Sequence, residues 1–266
     1  MELVDIGVNL AHRSFAADRD AVIARSLAAG VRTLIVTGTS VRASQDAQKL
    51  AHGRPGVLYA TAGVHPHDAK HCDGATLKVL RGLAALPEVV AIGECGLDFN
   101  RDFSPRPVQV EWFKKQVELA KDLKMPLFLH ERDAAGAFLE VLDAVKPEAA
   151  QVVVHCFTGD GPTLQQYLRR GYNIGITGWI CDERRGVHLR GLVKTIPADR
   201  LLVETDAPFL TPRDMRPKPA EGRNEPAFLV HVLRAVAAAR GEAPEAVAAA
   251  TTANARRVFA KLAAPA

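Results

Sequence analysis

Short runs of β-branched and apolar residues alternate along the chain with longer amphipathic stretches. The runs that predict strands are Leu3–Asn9, Thr33–Gly38, Val57–Gly63, Val89–Glu94, Pro126–His130, Val152–His155, Tyr172–Gly178 and Leu201–Glu204. The stretches that predict helices are Asp18–Ala29, Val41–His52, Thr76–Ala85, Val108–Leu123, Ala134–Val145, Pro162–Arg170 and Glu183–Thr195. Alternation of this kind implies a parallel sheet covered by helices. Eight strands favour an α/β fold closed into a (β/α)8 TIM-type barrel over an open doubly wound sheet, and no GxGxxG follows the first strand. Gly30 and Gly171 follow helices as stops, and Pro126 and Pro197 precede strands. From Glu225 on, an Ala-rich helical pair splits near Gly241–Pro244. No repeat or linker interrupts the pattern, so residues 1–266 read as one barrel domain. The longest irregular stretch, Ala207–Asn224, is rich in Pro and Arg, and loops of that length are usually functional.

Composition sharpens this picture in three places. The 266 residues match the roughly 250 that such a barrel needs. A hydrophobic share of 48% with 24% charged residues is enough for a sizeable core. The net charge of +4, from 34 basic and 30 acidic residues, is too mild to mark a nucleic-acid partner, so any basic footprint must be local. The cysteines, Cys72, Cys95, Cys156 and Cys181, form no CxxC pair, and a reducing cytoplasmic setting is expected. The opening MELVDIGVNL reads as a first strand and not as a signal peptide. No apolar run approaches the roughly 18 residues of a membrane span.

The candidate chemistry lies where the strands end. The fourth predicted strand stops at Glu94 and the fifth at His130, the sixth carries His155, and the eighth leads into Glu204 and Asp206. In a (β/α)8 barrel the strand C-termini converge on one face, where active sites sit. Two imidazoles and two carboxylates meeting there, Glu94, His130, His155 and Asp206, suit Mg²⁺, Mn²⁺ or Zn²⁺. One histidine at a strand end is commonly structural, but four such groups are hard to explain as packing, because buried charge is costly unless paired or metal-bound.

These same segments carry a resemblance. DIGVNL at Asp5–Leu10, TAGVHPHD at Thr61–Asp68, AIGECGLDF at Ala91–Phe99, PLFLHERDA at Pro126–Ala134, HCFTG at His155–Gly159, GITGWICDERRG at Gly175–Gly186 and ETDAP at Glu204–Pro208 together resemble the TatD family of metal-dependent deoxyribonucleases. RPKP at Arg216–Pro219 and RNEP at Arg223–Pro226 complete the pattern, which spans nearly the whole chain. The resemblance implies a TIM-type barrel, a divalent metal and hydrolysis of phosphodiester bonds in DNA. It carries the ligand role to Glu94, His130 and His155, and to Asp206 as ligand or general base. At its closest it implies a Mg²⁺-dependent 3′–5′ exonuclease acting on single-stranded DNA or RNA, with a role in DNA repair. One departure stands out: many relatives carry an HxH pair on the first strand, where this chain has Gly7 and Asn9. Fewer imidazole donors put a second metal site in doubt and favour Mg²⁺ over Zn²⁺.

Phosphodiester cleavage needs an activated water and charge neutralisation, which a bound cation supplies. Asp206 is the candidate to accept or direct the water proton, with Glu94 beside it. Glu204 would share the face of Asp206 and fix a histidine tautomer, or else form a structural ion pair. His65 and His67 follow the third strand and are candidates for phosphate contact, the alternative being a loop held by Asp68. Arg132 offers a bidentate fork to phosphate, or a salt bridge to Asp133. Arg184, Arg185, Arg213, Arg216, Lys218 and Arg223 place basic charge in the two loops after the seventh and eighth strands, where an oligonucleotide backbone would lie. Trp179 and Phe209 either stack on an unpaired base or pack beneath the loops. Cys95 and Cys156 read as packing residues. Single-stranded DNA, with RNA as a second possibility, is the expected partner, and a monomer the expected state. Two alternatives remain open at this level: an amidohydrolase or esterase on a small substrate, and a non-catalytic nucleic-acid-binding protein.

Overall fold

In the computed structural model, which describes residues 1–184, 186–219 and 222–262, eight parallel strands pair strictly in chain order. They are β1 (Leu3–Val8), β2 (Val31–Val36), β3 (Leu58–Ala62), β4 (Val89–Asp98), β5 (Leu127–Arg132), β6 (Val152–Val154), β7 (Asn173–Ile176) and β8 (Leu201–Val203). The seam between β8 and β1 is drawn shut at its upper end. Asp206 N–H donates to Gly7 O at 2.9 Å, and Asn9 N–H to Ala207 O at 2.7 Å. Below these, the Asp5 carboxylate accepts Thr205 N–H at 2.9 Å and Thr205 Oγ1–H at 2.5 Å.

The helices are α1 (Arg19–Ala28), α2 (Val41–His52), α3 (Thr76–Ala84), α4 (Arg106–Leu123), α5 (Ala135–Val145), α6 (Gly161–Arg169), α7 (Val187–Leu192), α8 (Leu229–Arg240) and α9 (Pro244–Val258). Their ends follow local chemistry. Ser40 caps α2 by accepting Ala43 N–H, and Asp160 caps α6 by accepting Thr163 N–H. Gly241 takes the left-handed conformation that stops α8.

Two segments depart from the sequence expectation. The helix expected over Glu183–Thr195 is shortened to Val187–Leu192. Asp182 accounts for the lost turn: its Oδ1 accepts Arg184 N–H and its carbonyl accepts Gly186 N–H, which ties the chain into a turn first. The fourth strand runs past Glu94 to Asp98. Its continuation stays paired with β5, with Gly96 opposite His130 and Asp98 opposite Arg132.

The core has two layers. Between strands and helices lies the larger apolar shell, including Leu34, Phe113, Phe138, Leu142, Leu164 and Leu233. Inside the barrel, Val4, Ile6, Ile35, Tyr59, Val90, Phe128, Val153 and Leu202 fill the space between strands. Ala255, Val258 and Phe259 of α9 and the following turn, with Leu262, join this inner cluster and cover the barrel's N-terminal mouth. The C-terminal mouth is left to polar groups.

Candidate metal centre

Glu94 is the hub of the C-terminal mouth. Its Oε1 lies 2.7 Å from His155 Nε2, 3.1 Å from His130 Nδ1 and 3.3 Å from His65 Nε2. The backbone places each group. Glu94 N–H donates to Gly38 O, and His155 N–H to Leu129 O, extending the ladder by one residue beyond β6. Cys156 and Asp206 hold left-handed φ angles of 47° and 54°. Non-glycine residues in that region cost about 1–3 kcal/mol each and gather at functional sites.

Glu204 is completely buried in a slot with glycine walls. A Cβ on Gly7 would lie 2.5 Å from Glu204 Oε2, and one on Gly175 would lie 2.6 Å from Glu204 Oε1. The carboxylate accepts Cys156 N–H at 2.6 Å and faces His155 Nδ1 at 3.3 Å. Donation from Nδ1 to a carboxylate orients the ring and directs Nε2 to the centre. The Asn9 amide N–H donates to Asp206 Oδ1 at 2.9 Å.

Charge within the cup is strongly coupled. Burial works against the ionised form of Glu94, but His155 and His65 outweigh it and hold its pKa well below the usual carboxylate range. Burial likewise opposes charge on His155 and His130, yet Glu94 with Glu204 raises the first, and Asp98 with Glu94 raises the second. Asp206 goes the other way. Burial, added to by the charges of Glu94 and Glu204, pushes its carboxyl up to about 7.

Asp98 is the functional-face residue that the sequence did not assign. Its Oδ2 lies 2.7 Å from His67 Nε2 and 3.5 Å from His130 Nε2, and two backbone N–H groups hold its Oδ1. The signal was present: in ECGLD, an uninterrupted strand carries Asp98 up to the same mouth as Glu94. His65 Nδ1 accepts the N–H of His67, so its neutral ring carries hydrogen on Nε2, the atom that faces Glu94. Burial drives its pKa down to about 4, which keeps it neutral near pH 7. His65 is thus set as a hydrogen-bond donor, although it forms with Glu94 and His130 a compact trio able to hold a metal.

These residues fit a cation. His130 Nε2 is buried and makes no hydrogen bond to a described residue, with Asp98 Oδ2 only at the longer ion-pair distance of 3.5 Å. Glu94, Asp98, Glu204 and Asp206 bring four carboxylates to the mouth that holds the two inward imidazoles, and burial, with the charges of Glu94 and Glu204, raises the pKa of Asp206. Removing such groups from water is costly without a counter-charge.

Open hollows flank the cup. One, of about 680 Å³, is lined by Trp179, Arg184, Leu210, Arg213 and Lys218 among others. A second, of about 450 Å³, is lined by Arg132, Thr158, Asp160 and His188. Trp179 borders both and is partly buried, so it packs against the core and still faces the hollows. The Arg132 side chain has no hydrogen bond or ion pair to a described residue, and Asp133 is instead held by Asn100. Arg184 is exposed. Arg213 is tied to Asp182 at 3.1 Å. Arg223 is committed elsewhere: it binds Asp18 twice, at 2.8 and 2.7 Å, and the Ser14 carbonyl, and lies over the Phe15 ring. Arg185 lies outside the described residues. Phe209 is half exposed, with its ring against His12. Cys95 is buried in the outer core, as its place on the strand predicts.

Comparison with known proteins adds a frame to this geometry. The family model described as TatD related DNase matches residues 4–260. A protein of Erwinia billingiae named 3′-5′ ssDNA/RNA exonuclease TatD is 56% identical over 257 residues, covering 97% of this chain and 98% of that one. Its namesake in Citrobacter rodentium is 53% identical, with 97% of each chain covered. Among solved structures, the TatD homologue YJJV from Escherichia coli K12 superposes with a TM-score of 0.88 at 28% identity, covering 97% of this chain and 98% of that one. A match that runs from the first strand to the last helix takes in every residue of the polar mouth, and the chain belongs to the TatD related DNase family.

Proposed function

We propose that this protein is a metal-dependent nuclease that hydrolyses phosphodiester bonds of single-stranded DNA or RNA from the 3′ end. Glu94, His130, His155 and Asp206 would hold the ion, with Mg²⁺ favoured by the oxygen-rich surroundings. The observation that carries this reading is the buried meeting of Glu94 with His130 and His155, where His130 Nε2 makes no hydrogen bond to a described residue, on a mouth rimmed by Arg132. The names of the relatives support the substrate class and the polarity.

When bound, the ion supplies a Lewis acid for the phosphoryl group and acidifies a water. The chain's own residues supply the rest. Asp206, held at Oδ1 by Asn9, would take the water proton at Oδ2. His65 donates from Nε2 to Glu94 and steadies that carboxylate beside the substrate, and His67 is held in place by Asp98. Arg132 and Arg184 receive backbone phosphates, and Trp179 offers an aromatic face to an unpaired base. Glu204 keeps His155 in the tautomer that leaves Nε2 for the ion.

The test is a time course on 3′- and 5′-end-labelled single-stranded DNA, with Mg²⁺, with Mn²⁺ and with chelator. Stepwise shortening from the 3′ end that chelator abolishes is the expected result. Cleavage indifferent to chelator would overturn the proposal. So would hydrolysis of small esters or amides with DNA left intact, or DNA binding without cleavage.

A further inference from the structure

A second group of side chains able to ligate a metal, separate from His65, Glu94 and His130, lies on the segments that follow β7 and β8 and on α8. Cys181 closes the 3₁₀ turn Gly178–Cys181 that follows β7. Asp214 belongs to the loop after β8, and His231 to the first turn of α8. Their ligand atoms lie within 4.8 Å of one another. Three segments that meet only in the folded chain thus each contribute one donor of a different type. Cys181 is fully buried, whereas Asp214 and His231 keep about a third of their side chains exposed. The cluster is closed by protein on the sulfur side and open to solvent on the other, which leaves room for a water as a further ligand.

We propose that Cys181, Asp214 and His231 form a second, structural cation site that takes Zn²⁺, distinct from the catalytic centre. The donor set selects the ion. A thiolate with an imidazole and one carboxylate matches Zn²⁺, while Mg²⁺ avoids sulfur and prefers oxygen and water. The atoms converging on Glu94 include no thiol, so the two sites select different metals.

Without an ion, the three groups satisfy one another. His231 Nε2 lies 2.7 Å from Asp214 Oδ1, and burial with the Asp214 charge keeps the Cys181 thiol protonated, its pKa pushed up to about 12. Binding balances simply. The thiol S–H bond breaks and its proton leaves to solvent, the sulfur lone pair goes to Zn²⁺, and His231 offers Nε2 from the ring tautomer that carries hydrogen on Nδ1. One proton is released per ion, and no redox partner is needed.

The position gives the ion a task. Trp179 and Arg184 lie close to Cys181 in sequence, and Arg213 is the neighbour of Asp214. An ion bridging Cys181, Asp214 and His231 therefore fastens to α8 both loops that line the 680 Å³ hollow. It reinforces the Arg213–Asp182 pair, which already links those loops.

The experiment uses the full chain, stripped by chelator and reloaded with Zn²⁺ or Co²⁺ in the presence of excess Mg²⁺. In a Glu94→Ala/His155→Ala variant, about one equivalent of Zn²⁺ is expected to remain. Co²⁺ should give the near-ultraviolet charge-transfer band of a thiolate ligand in both wild type and that variant. Cys181→Ser should abolish the band and the retained Zn²⁺ while leaving the circular dichroism native. His231→Gln should weaken Zn²⁺ binding roughly tenfold or more. Absence of the band in the wild-type protein overturns the proposal, as does its survival in Cys181→Ser. Neither readout uses nuclease activity, so the site stands or falls apart from the proposed function.

Discussion

The two ends of the barrel are built from opposite materials. At the N-terminal end, Phe259, Val258 and Leu262 close the mouth over Val4, Ile6 and Leu202, and the space is filled with hydrocarbon. At the C-terminal end, the same strands deliver Glu94, Asp98, His130, His155, Glu204 and Asp206 into one cup, where the buried His130 Nε2 makes no hydrogen bond to a described residue. Apolar burial stabilises the fold at the first end. At the second, buried charge and left-handed backbone cost stability and leave groups set for chemistry. One chain therefore separates what holds it folded from what it does with a substrate along a single axis.

The largest effect that would test this separation is at the polar end. Glu94→Gln keeps shape but removes the charge at the hub. Nuclease rate should fall roughly 10⁴-fold, about 5 kcal/mol of barrier. Unfolding free energy by urea should change by no more than about 1–2 kcal/mol. A stability loss as large as the activity loss would break the comparison.

The opposite signature is expected from the apolar end. Phe259→Ala removes a completely buried ring and should cost about 3–4 kcal/mol of stability in urea titration. Its kcat per folded molecule, measured with Mg²⁺ well below the unfolding temperature, should stay within about twofold of wild type. A large kcat loss in fully folded protein would mean that the plug transmits to the cup.

Smaller effects divide the arginines. Arg132→Ala should weaken single-stranded DNA binding by about 1 kcal/mol and reduce the salt dependence of log Kd by roughly 0.7, one phosphate contact. Arg223→Ala should leave that slope unchanged and lower thermal stability instead, because its guanidinium is bound to Asp18 and Ser14. Equal slopes for wild type and Arg132→Ala would remove Arg132 from the binding surface.

The smallest expected effect is a pH dependence. Arg223, followed by Arg25, holds the Asp18 carboxyl at about 2, below its ordinary 3.8. A depressed carboxyl stabilises the fold above its unfolded pKa, and the contribution is lost as pH falls through the folded one. The difference in melting temperature between wild type and Asp18→Asn should therefore be constant above pH ~4 and narrow below it. A gap that widens on acidification would reverse the assignment.

Much of this axis was legible in the sequence, because hydrophobic period and strand-end chemistry are local signals. The eight strands, the helices between them and the delivery of Glu94, His130, His155 and Asp206 to one mouth follow from runs such as VVAIGE and PLFLH. What was not legible depends on partners distant in sequence. The expected fourth strand ends at Glu94, whereas pairing with β5 carries it on to Asp98. The donor character of His65 rests on a backbone N–H from His67. The occupation of Arg223 rests on Asp18, some two hundred residues away. A list of arginines in a loop does not show which are already engaged.

The slot that holds Glu204 sets a condition on how this barrel can change. Gly7 and Gly175 are the walls against which its two oxygens rest. An imidazole grafted onto position 7 would evict that carboxylate from His155 Nδ1 and from Cys156 N–H. The residue at position 7 and the posture of Glu204 are therefore sterically coupled, so that changing one requires a compensating change at the other.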